Sequence, residues 1–309
     1  MNQVTSPIVI ICSDPAKSGQ RIDKFLSLEV PTLSRSYVQE LIAMGNVTIN
    51  DITIHKPNHT VRLQDTVVIT LAAKQSVFAP ADVPFDVIDE QPDFLVINKP
   101  AGLLVHHADT KPDELSLVNG LLHRYPDMQA IESLQRPGIV HRIDKNTSGL
   151  LLIARNQQAQ AALAALFKER KIHKVYRAVV QGHPVPAGKI DLPIGRHPTE
   201  RHKMATFGIE TRSALSHYKV IESFKDASLL EVNIITGRTH QVRVHCASMG
   251  HGLLGDSTYG VSSPLIARQA LHAWHMSFSY AGKDFSYTAP LPDDLQELLA
   301  RLRSVTIEK

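Results

Sequence analysis

The sequence predicts an α+β protein in two parts, a small N-terminal domain followed by a larger one. Its 309 residues are too many for one average domain and suit two. Helical and strand-like periodicities occur in both parts. Between them, residues 75–93 contain five acidic side chains and neither lysine nor arginine, a shift of composition that suggests a linker. A hydrophobic content of 43% against 20% charged residues indicates a substantial buried core.

The smaller domain is predicted from two helices and two strands. Apolar residues at helical spacing predict a first helix at 21–26, and a serine cap before a second apolar face predicts a helix from Ser34 to just before Gly45. Short strands are predicted at 47–51 and 67–69. The predicted boundaries are an arm over 1–18, a domain over 19–75, an acidic linker into an edge hairpin over 76–93, and the larger domain over 94–309.

The larger domain is predicted to mix helices with many strands. Apolar runs at 94–98 and 149–154 have the length of buried strands. Residues 156–171 form a helical pattern that ends in basic side chains, which suits the negative end of a helix dipole, and 292–305 form an amphipathic helix. Further strands are predicted at 175–181, 213–223, 229–235, 273–280 and 285–288, the last two as a hairpin.

The net charge of +3 conceals an uneven distribution of charge. Residues 136–212 hold 14 basic and 5 acidic side chains, whereas residues 1–135 hold 10 basic and 16 acidic ones. A basic block that folds onto one face is the electrostatic footprint of a phosphate-rich partner, and a solvated helix face is the alternative.

No sequence feature indicates export or a membrane span. Cys12 and Cys246 are too few for a disulfide framework and suit a reducing compartment. The N-terminus lacks positive charge before its short apolar run, so we expect no signal peptide. No apolar stretch approaches the roughly 18 residues of a membrane helix. The prediction is a cytoplasmic protein.

Several enzyme classes lose support because their motifs are missing. The sequence contains no nucleotide-binding P-loop, no dinucleotide glycine fingerprint, no hydrolase nucleophile elbow and no zinc-protease motif. The loose group His240, His245 and Cys246 lacks a second ligand set at zinc spacing. We therefore expect no metal site.

The segment Arg136–Gly149 is the strongest candidate for chemistry. It places Asp144 between basic residues in a glycine-bounded turn that leads directly into an apolar strand. The structural alternative is a turn cap, in which the Asp144 side chain accepts hydrogen bonds from Thr147 or Ser148. The run His141-Arg-Ile-Asp-Lys-Asn-Thr-Ser-Gly-Leu, however, resembles the signature of the large-ribosomal-subunit type A (RluA) family of pseudouridine synthases, with isoleucine in place of one leucine.

Further motifs extend this resemblance over nearly the whole chain. In order, they are Lys174-Val175-Tyr176-Arg177-Ala178, a basic loop over 196–205, Thr236 to His245, Gly255-Asp256-x-x-Tyr259-Gly260 and Leu271-His272-Ala273. The N-terminal segments at 21–26, 34–36 and 45–50 resemble an S4-type RNA-binding module. The order and spacing are most similar to the D subgroup of the family. The resemblance implies an α+β architecture: an S4-type domain, then a catalytic domain with a mixed, mostly antiparallel sheet flanked by helices.

The resemblance also implies an activity and a set of site residues. Members isomerise uridine in RNA to pseudouridine, on a nucleotide extruded from its stack. Asp144 would be the catalytic carboxylate, Arg243 its ion-pair partner with Arg238 as the rival, and Tyr176 the ring that stacks on the flipped base. An arginine partner favours the ionised carboxylate in a partly desolvated pocket.

Other residues are expected to bind substrate or RNA. The resemblance implies that Arg142 fills the space left by the flipped base and that Leu271 is an apolar wall of the pocket. A phosphate contact is the alternative for Arg142, and a core position is the alternative for Tyr176 and Leu271. These candidates are His141, Arg142, Thr147, Arg238 and Leu271 in the signature motifs, Arg196 and Lys203 on the basic loop, and Arg21, Lys24, Ser34 and Arg35 in the S4-type module. The phosphate-tracking surface is predicted to contain Lys168, Arg170, Lys171, Lys174, Arg196, Arg201 and Lys203.

Three alternatives remain at this point. The RNA could be large-subunit ribosomal RNA, which the S4 module favours, a transfer RNA, or both. A non-catalytic ribosome-assembly factor would be expected to lack Asp144 or Arg243, and a glycosidic-bond hydrolase commonly uses a second carboxylate. Because the isomerisation needs no redox change and no external nucleophile, we expect no cofactor. The expected partner is RNA, bound by a monomer with no obligate protein partner.

Overall fold

The computed structural model describes residues 7–31, 33, 35–70, 78–106, 114–131 and 136–307. The chain folds into two compact units, one drawn from 1–79 with 129–137 and the other from 80–128 with 138–309. Ser34, one of the candidate RNA-binding residues, lies outside the described residues. Within the described ranges, no helix is both long and apolar enough to cross a membrane.

The described part of the first unit is a small antiparallel sheet with two α-helices. Its elements are β1 (Ile8–Ile11), α1 (Ile22–Glu29), α2 (Arg35–Ala43), β2 (Val47–Ile49), β3 (Ile52–Thr53) and β4 (Thr66–Ile69). The strand order is β1-β4-β2-β3. Apolar faces of both helices, including Phe25 and Leu41, enclose a core against Val67 of the sheet.

One part of this unit differs from the predicted arm over 1–18. Strand β1 pairs with β4 from Ile8 opposite Ile69 to Ile11 opposite Thr66, and the next residue, Cys12, is fully buried. The segment therefore belongs to the sheet. A four-residue apolar run carries too little alternation to be recognised as a strand.

In its described residues, the second unit combines a nine-stranded sheet, a three-stranded sheet and four helices. The helices are α3 (Leu117–Arg124), α4 (Gln157–Lys168), α5 (Gln241–Ser248) and α6 (Asp293–Ile307). The strands are β5 (Asp86–Glu90), β6 (Phe94–Lys99), β7 (Ser148–Ala154), β8 (His173–Gln181), β9 (Ala187–Asp191), β10 (Ile194–Arg196), β11 (Met204–Ala205), β12 (Ile209–Arg212), β13 (Leu215–Ser223), β14 (Ala227–Ile234), β15 (Leu271–Tyr280) and β16 (Lys283–Thr288).

The large sheet has the order β5-β6-β7-β15-β8-β14-β13-β9, and β16 pairs with the outer half of β15. Its only parallel contact among the described strands joins β7 to β15, and the other pairs are antiparallel. This confirms the predicted mixed, mostly antiparallel sheet. The small sheet has the order β11-β10-β12 and contains part of the basic loop.

Helices α4 and α6 bury their apolar faces in two cores of the second unit. Asn156 caps α4 by accepting the Ala159 N–H at 2.8 Å, and Leu163 then packs in a cluster with Phe94. Leu298 of α6 packs with Val179 of β8 in a second cluster. These contacts fix the central strands that carry the site.

Candidate active site

The second unit contains a cavity of about 480 Å³, a size typical of small-molecule sites. It lies among the segment before β7, the end of α4, strand β8 and the first turn of α5. The predicted site residues that line it are His141, Arg142, Asp144, Thr147, Tyr176, Arg238, Arg243 and Leu271. Residues far apart in the sequence, from four different motifs, therefore meet at one place.

Arg243 joins two carboxylates at the cavity wall. Its Nη1 donates to Oδ2 of Asp144 at 3.0 Å, while Nε and Nη2 donate to the two oxygens of Asp256 at 2.7 and 2.9 Å. Burial opposes ionisation of Asp256, but the hydrogen bonds and charge of Arg243 outweigh it and lower the Asp256 pKa. The Asp256 side chain is 1% exposed and that of Asp144 is 20% exposed. Asp144 is therefore the carboxylate that a ligand can reach.

The Asp144 side chain is not a turn cap. In the turn, the Thr147 N–H donates to the backbone carbonyl of Asp144 at 3.1 Å, and the carboxylate instead faces Arg243 and His240. This arrangement leaves the carboxylate available to the cavity.

Two buried cations hold the backbone of this turn. Lys99 Nζ donates to the carbonyl of Lys145 at 3.0 Å, and Arg268 Nη1 donates to the carbonyl of Asn146 at 3.1 Å. Lys99 also donates to two other carbonyls and is 0% exposed. Burial, reinforced by Arg268, lowers its pKa to about 7. The position of Asp144 is thus set by side chains from β6 and from the loop before β15.

Strands β7, β8 and β15 bring Tyr176 and Leu271 to the cavity. Gly149 has φ of 111° and lies against Ala273 of β15, where a Cβ atom would stand 2.2 Å from the Ala273 carbonyl oxygen. Only glycine permits this approach of β7 to β15. Tyr176 pairs with Ala273 and is 8% exposed; burial first, then the charge of Asp144, raises its pKa, so the hydroxyl is neutral.

Two of the cavity residues bind other parts of the protein through their side chains. His141 Nε2 accepts the Leu152 N–H at 2.8 Å, and its ring stacks on Phe167 at 4.3 Å. Burial lowers the pKa of His141 to about 3, so the ring is neutral and Nδ1 carries its proton. Thr147 is 1% exposed, and its hydroxyl accepts from Gln269 at 3.3 Å. Both side chains support the wall of the cavity.

The two arginines Arg142 and Arg238 are held by other groups. Arg142 Nη1 lies 3.2 Å from Nε2 of His106. Arg238 Nε donates to the carbonyl of Ser213 at 3.1 Å, and among the described contacts it makes none with Asp144. The ion-pair partner is Arg243, as the first of the two alternatives predicted, and not Arg238.

Part of the predicted basic surface lies at the cavity. Lys168, Arg170 and Lys174 contribute to its wall. Lys174 is buried, and burial lowers its pKa to about 8. Arg196 and Lys203 lie outside the cavity lining. Arg196 is the last residue of β10 and pairs with Met204 of β11, and Lys203 directly precedes β11. The ammonium group of Lys203 forms an ion pair with Glu200 at 2.8 Å.

In the first unit, two of the three described RNA-binding candidates bind one acidic side chain. Asp23 is 0% exposed and accepts from Arg21 at 3.0 Å and from Arg35 at 2.9 Å. Burial opposes its ionisation, but these hydrogen bonds and one from Gln39 outweigh it and lower its pKa. Lys24 lies exposed on the same helix. Both arginines are about half exposed and so also present charge to solvent.

The loose group of possible metal ligands is dispersed among other partners. His240 Nδ1 binds the Tyr259 hydroxyl at 2.7 Å, and His245 binds Ser216 and the Leu192 carbonyl. No cluster of three or more His, Cys, Asp or Glu side chains suited to a metal ion occurs in the part of the chain that the structure describes.

Comparison with known proteins matches two families. The RNA pseudouridylate synthase family matches residues 93–248, and the S4 domain family matches residues 20–67. A Zymomonas mobilis protein named ribosomal large subunit pseudouridine synthase D is 40% identical over 92% of this chain and 94% of its own length. The chain belongs to the RNA pseudouridine synthase family.

Other relatives agree with this assignment. An uncharacterised RNA pseudouridine synthase of Chloroflexus aurantiacus is 42% identical over 95% of this synthase and 93% of its own length. The solved human RNA pseudouridylate synthase domain-containing protein 1 superposes with a TM-score of 0.56 at 27% identity, covering 72% of this chain and 96% of its own. The synthase is therefore an isomerase with an N-terminal S4 domain, as the motifs predicted.

Some residues that shape the site were missed as site residues by sequence reasoning. Asp256 and His240 lay inside the quoted motifs, yet no spacing rule linked them to Asp144. Lys99 follows an apolar strand, and a buried lysine is not expected from sequence.

Proposed function

We propose that this synthase isomerises specific uridines of large-subunit ribosomal RNA, with Asp144 as the catalytic carboxylate. One observation carries the proposal: Asp144 is the accessible carboxylate of the cavity and is held at 3.0 Å by a buried arginine. This arrangement orients a carboxylate beside a bound nucleotide.

The reaction requires that the target nucleotide leave its stack. The bond between N1 and the ribose C1′ breaks, a bond between C5 and C1′ forms, and the proton lost from C5 is balanced by one gained at N1. A stacked base does not expose these atoms to a side chain, so the nucleotide is extruded into the cavity. Tyr176 and Leu271 offer it an aromatic and an apolar wall, and Arg142, which lines the same cavity, contacts the RNA left behind.

The choice of ribosomal RNA rests on the relatives and on charge. Relatives in Zymomonas mobilis and Xanthomonas campestris, each 40% identical, have names that specify the ribosomal large subunit. Lys168, Arg170 and Lys174 supply positive charge at the cavity for phosphate contacts. Exposed cations of the S4 domain add a second, tethered contact, which raises the effective affinity for a large RNA.

We further propose that one copy of the chain is sufficient for this activity. All residues that line the cavity come from the second unit. A monomer in the cytoplasm, where bacterial-type ribosomal RNA is assembled into subunits, would meet this need. A molar mass measurement of the active enzyme tests the monomer.

Mapping pseudouridines in total RNA from cells that carry Asp144→Asn as the only copy tests the proposal. We expect specific positions in large-subunit ribosomal RNA to be lost, and to be retained with the control Asp226→Asn, which changes an exposed carboxylate outside the cavity. Loss confined to transfer RNA would overturn the substrate, and no loss in any RNA would overturn the role of Asp144.

A further inference from the structure

His240 lies between the catalytic carboxylate and a tyrosine that the proposed mechanism does not use. It precedes α5 with φ of 57° and ψ of 19°, a left-handed conformation that is uncommon for histidine. In this conformation Nδ1 lies 2.7 Å from the Tyr259 hydroxyl, and Nε2 lies 3.9 Å from Oδ1 of Asp144. The ring therefore spans the distance between the two groups.

The hydrogen bonds of Tyr259 favour one of the two neutral tautomers of His240. The Met204 backbone N–H donates to the Tyr259 hydroxyl oxygen at 2.7 Å, so that oxygen already accepts one bond. Among the described residues, the only remaining partner of the hydroxyl is His240 Nδ1. Donation of the Tyr259 proton to Nδ1 satisfies the hydroxyl within these partners, and it leaves a neutral His240 with its own proton on Nε2, on the side of Asp144.

The surroundings favour this neutral form. Burial lowers the pKa of His240, and the charges of Arg243 and Arg142 act in the same direction against those of Asp144 and Asp256. Nε2 therefore presents a single N–H to the carboxylate.

The two oxygens of Asp144 then face two different donors. Arg243 binds Oδ2 at 3.0 Å, and His240 faces Oδ1 across 3.9 Å, which is longer than a hydrogen bond. Hydrogen bonds in active sites are often long before the substrate binds and shorten in the complex. A shift of about 1 Å would bring Nε2 and Oδ1 to hydrogen-bond distance.

Tyr259 also connects this arrangement to the basic loop. Met204, its N–H donor, pairs with Arg196 in the small sheet, and the guanidinium of Arg243 lies 4.9 Å over the Tyr259 ring. The tyrosine therefore contacts the loop predicted to bind RNA and both groups that flank Asp144.

We propose that His240 is a positioning residue of this reaction: its Nε2–H orients Oδ1 of Asp144 while Arg243 holds Oδ2, and Tyr259, anchored by Met204, fixes its tautomer. This inference rests on the proposed role of Asp144. It gives His240 and Tyr259 a role in catalysis in addition to their packing in the fold.

A matched pair of substitutions separates the two nitrogens of the ring. His240→Asn keeps an acceptor at the Nδ1 position, tolerates the left-handed backbone and removes the donor that faces Asp144. His240→Gln places an amide N–H near the Nε2 position. We expect His240→Asn to lower kcat by about 10- to 100-fold, the worth of a hydrogen bond to a charged group, with KM for the RNA and Tm unchanged. We expect His240→Gln to restore most of the loss.

Three outcomes of these kinetic and thermal measurements would overturn the proposal. They are a wild-type kcat for His240→Asn, an equal loss in both variants, or a fall in Tm that parallels the fall in kcat. Asp144→Asn is measured beside them: if it retains activity, the proposed function fails, whereas an inactive Asp144→Asn with a fully active His240→Asn refutes only the role of His240.

The tautomer itself is tested by ¹⁵N NMR of the histidine rings, with the His240 signals assigned from their loss in His240→Gln. We expect an unprotonated Nδ1 and a protonated Nε2 in the wild type, and a mixture of tautomers in Tyr259→Phe, which keeps the ring but loses the hydroxyl proton. A protonated Nδ1 in the wild type, or an unchanged tautomer in Tyr259→Phe, would contradict the proposal.

Discussion

The turn that carries Asp144 and the turn that carries Asp256 place two carboxylates on the same arginine in different surroundings. Asp256 is 1% exposed, binds Arg243 through both oxygens, and also accepts the N–H groups of Thr258 and Tyr259. Asp144 is 20% exposed and has one hydrogen bond to Arg243 among the described contacts. The saturated carboxylate orients the arginine, and the arginine in turn orients the carboxylate that retains an oxygen for chemistry.

The comparison predicts its largest effect for Asp144→Asn. We expect the rate of pseudouridine formation to fall by at least about 10³-fold, because the group that acts on the nucleotide is lost. The free energy of unfolding should change by less than about 1 kcal/mol, because the ion pair is partly exposed and asparagine still accepts a hydrogen bond. Single-turnover kinetics and urea denaturation measure the two quantities.

Asp256→Asn, in contrast, should reduce the stability of the protein strongly and the rate of reaction only modestly. Removing one partner of a buried ion pair should lower the free energy of unfolding by about 2–4 kcal/mol, since Arg243 keeps only Asp144. The rate should fall by about 10-fold, because Arg243 and Tyr259 lose their anchor. An unchanged midpoint of urea denaturation would show that Asp256 does not hold the arginine.

A smaller effect is expected from Lys174, a buried cation of the cavity with no carboxylate partner among the described ion pairs. Its pKa of about 8, lowered by burial, means that it is charged below pH 8 and neutral above. We expect KM for the RNA to rise severalfold as the pH passes through about 8. Lys174→Arg, which keeps its charge, should flatten this dependence; an identical pH profile in both proteins would exclude Lys174 as its cause.

The smallest effects are expected on the basic loop, outside the cavity. Arg196→Ala and Lys203→Ala should each weaken RNA binding severalfold with kcat unchanged, and each should reduce the slope of log affinity against log salt by about one. Lys283→Ala, on the exposed strand β16, provides the control. Equal slopes in the wild type and all three variants would show that the RNA does not bind the basic loop.

The sequence was sufficient for elements with a clear periodicity or a continuous apolar run, and insufficient for a buried helix without an apolar stripe. Helix α4 and strand β7 were predicted because one is amphipathic and capped and the other is a continuous apolar run. Helix α5 was not, since its Gln-Val-Arg-Val-His-Cys stretch is buried on nearly all sides and shows no apolar stripe. Yet α5 supplies Arg243.

The sequence also predicted only part of the candidate site. Motif resemblance led to Asp144, Arg243 and Tyr176, which the fold brings to one cavity. It did not distinguish His141, whose Nε2 is occupied by a backbone N–H, from residues available to substrate. Nor did it reveal the Asp256 partner of Arg243, because hydrogen bonds between distant segments leave no local pattern in the sequence.

The most direct test of the account is one paired measurement on purified Asp144→Asn and Asp256→Asn, combining single-turnover pseudouridine formation on a large-subunit ribosomal RNA fragment with urea denaturation. We predict an inactive but stable Asp144→Asn and a destabilised Asp256→Asn with residual activity. An active Asp144→Asn, or an Asp256→Asn that is inactive with wild-type stability, would contradict the division of roles between the two carboxylates.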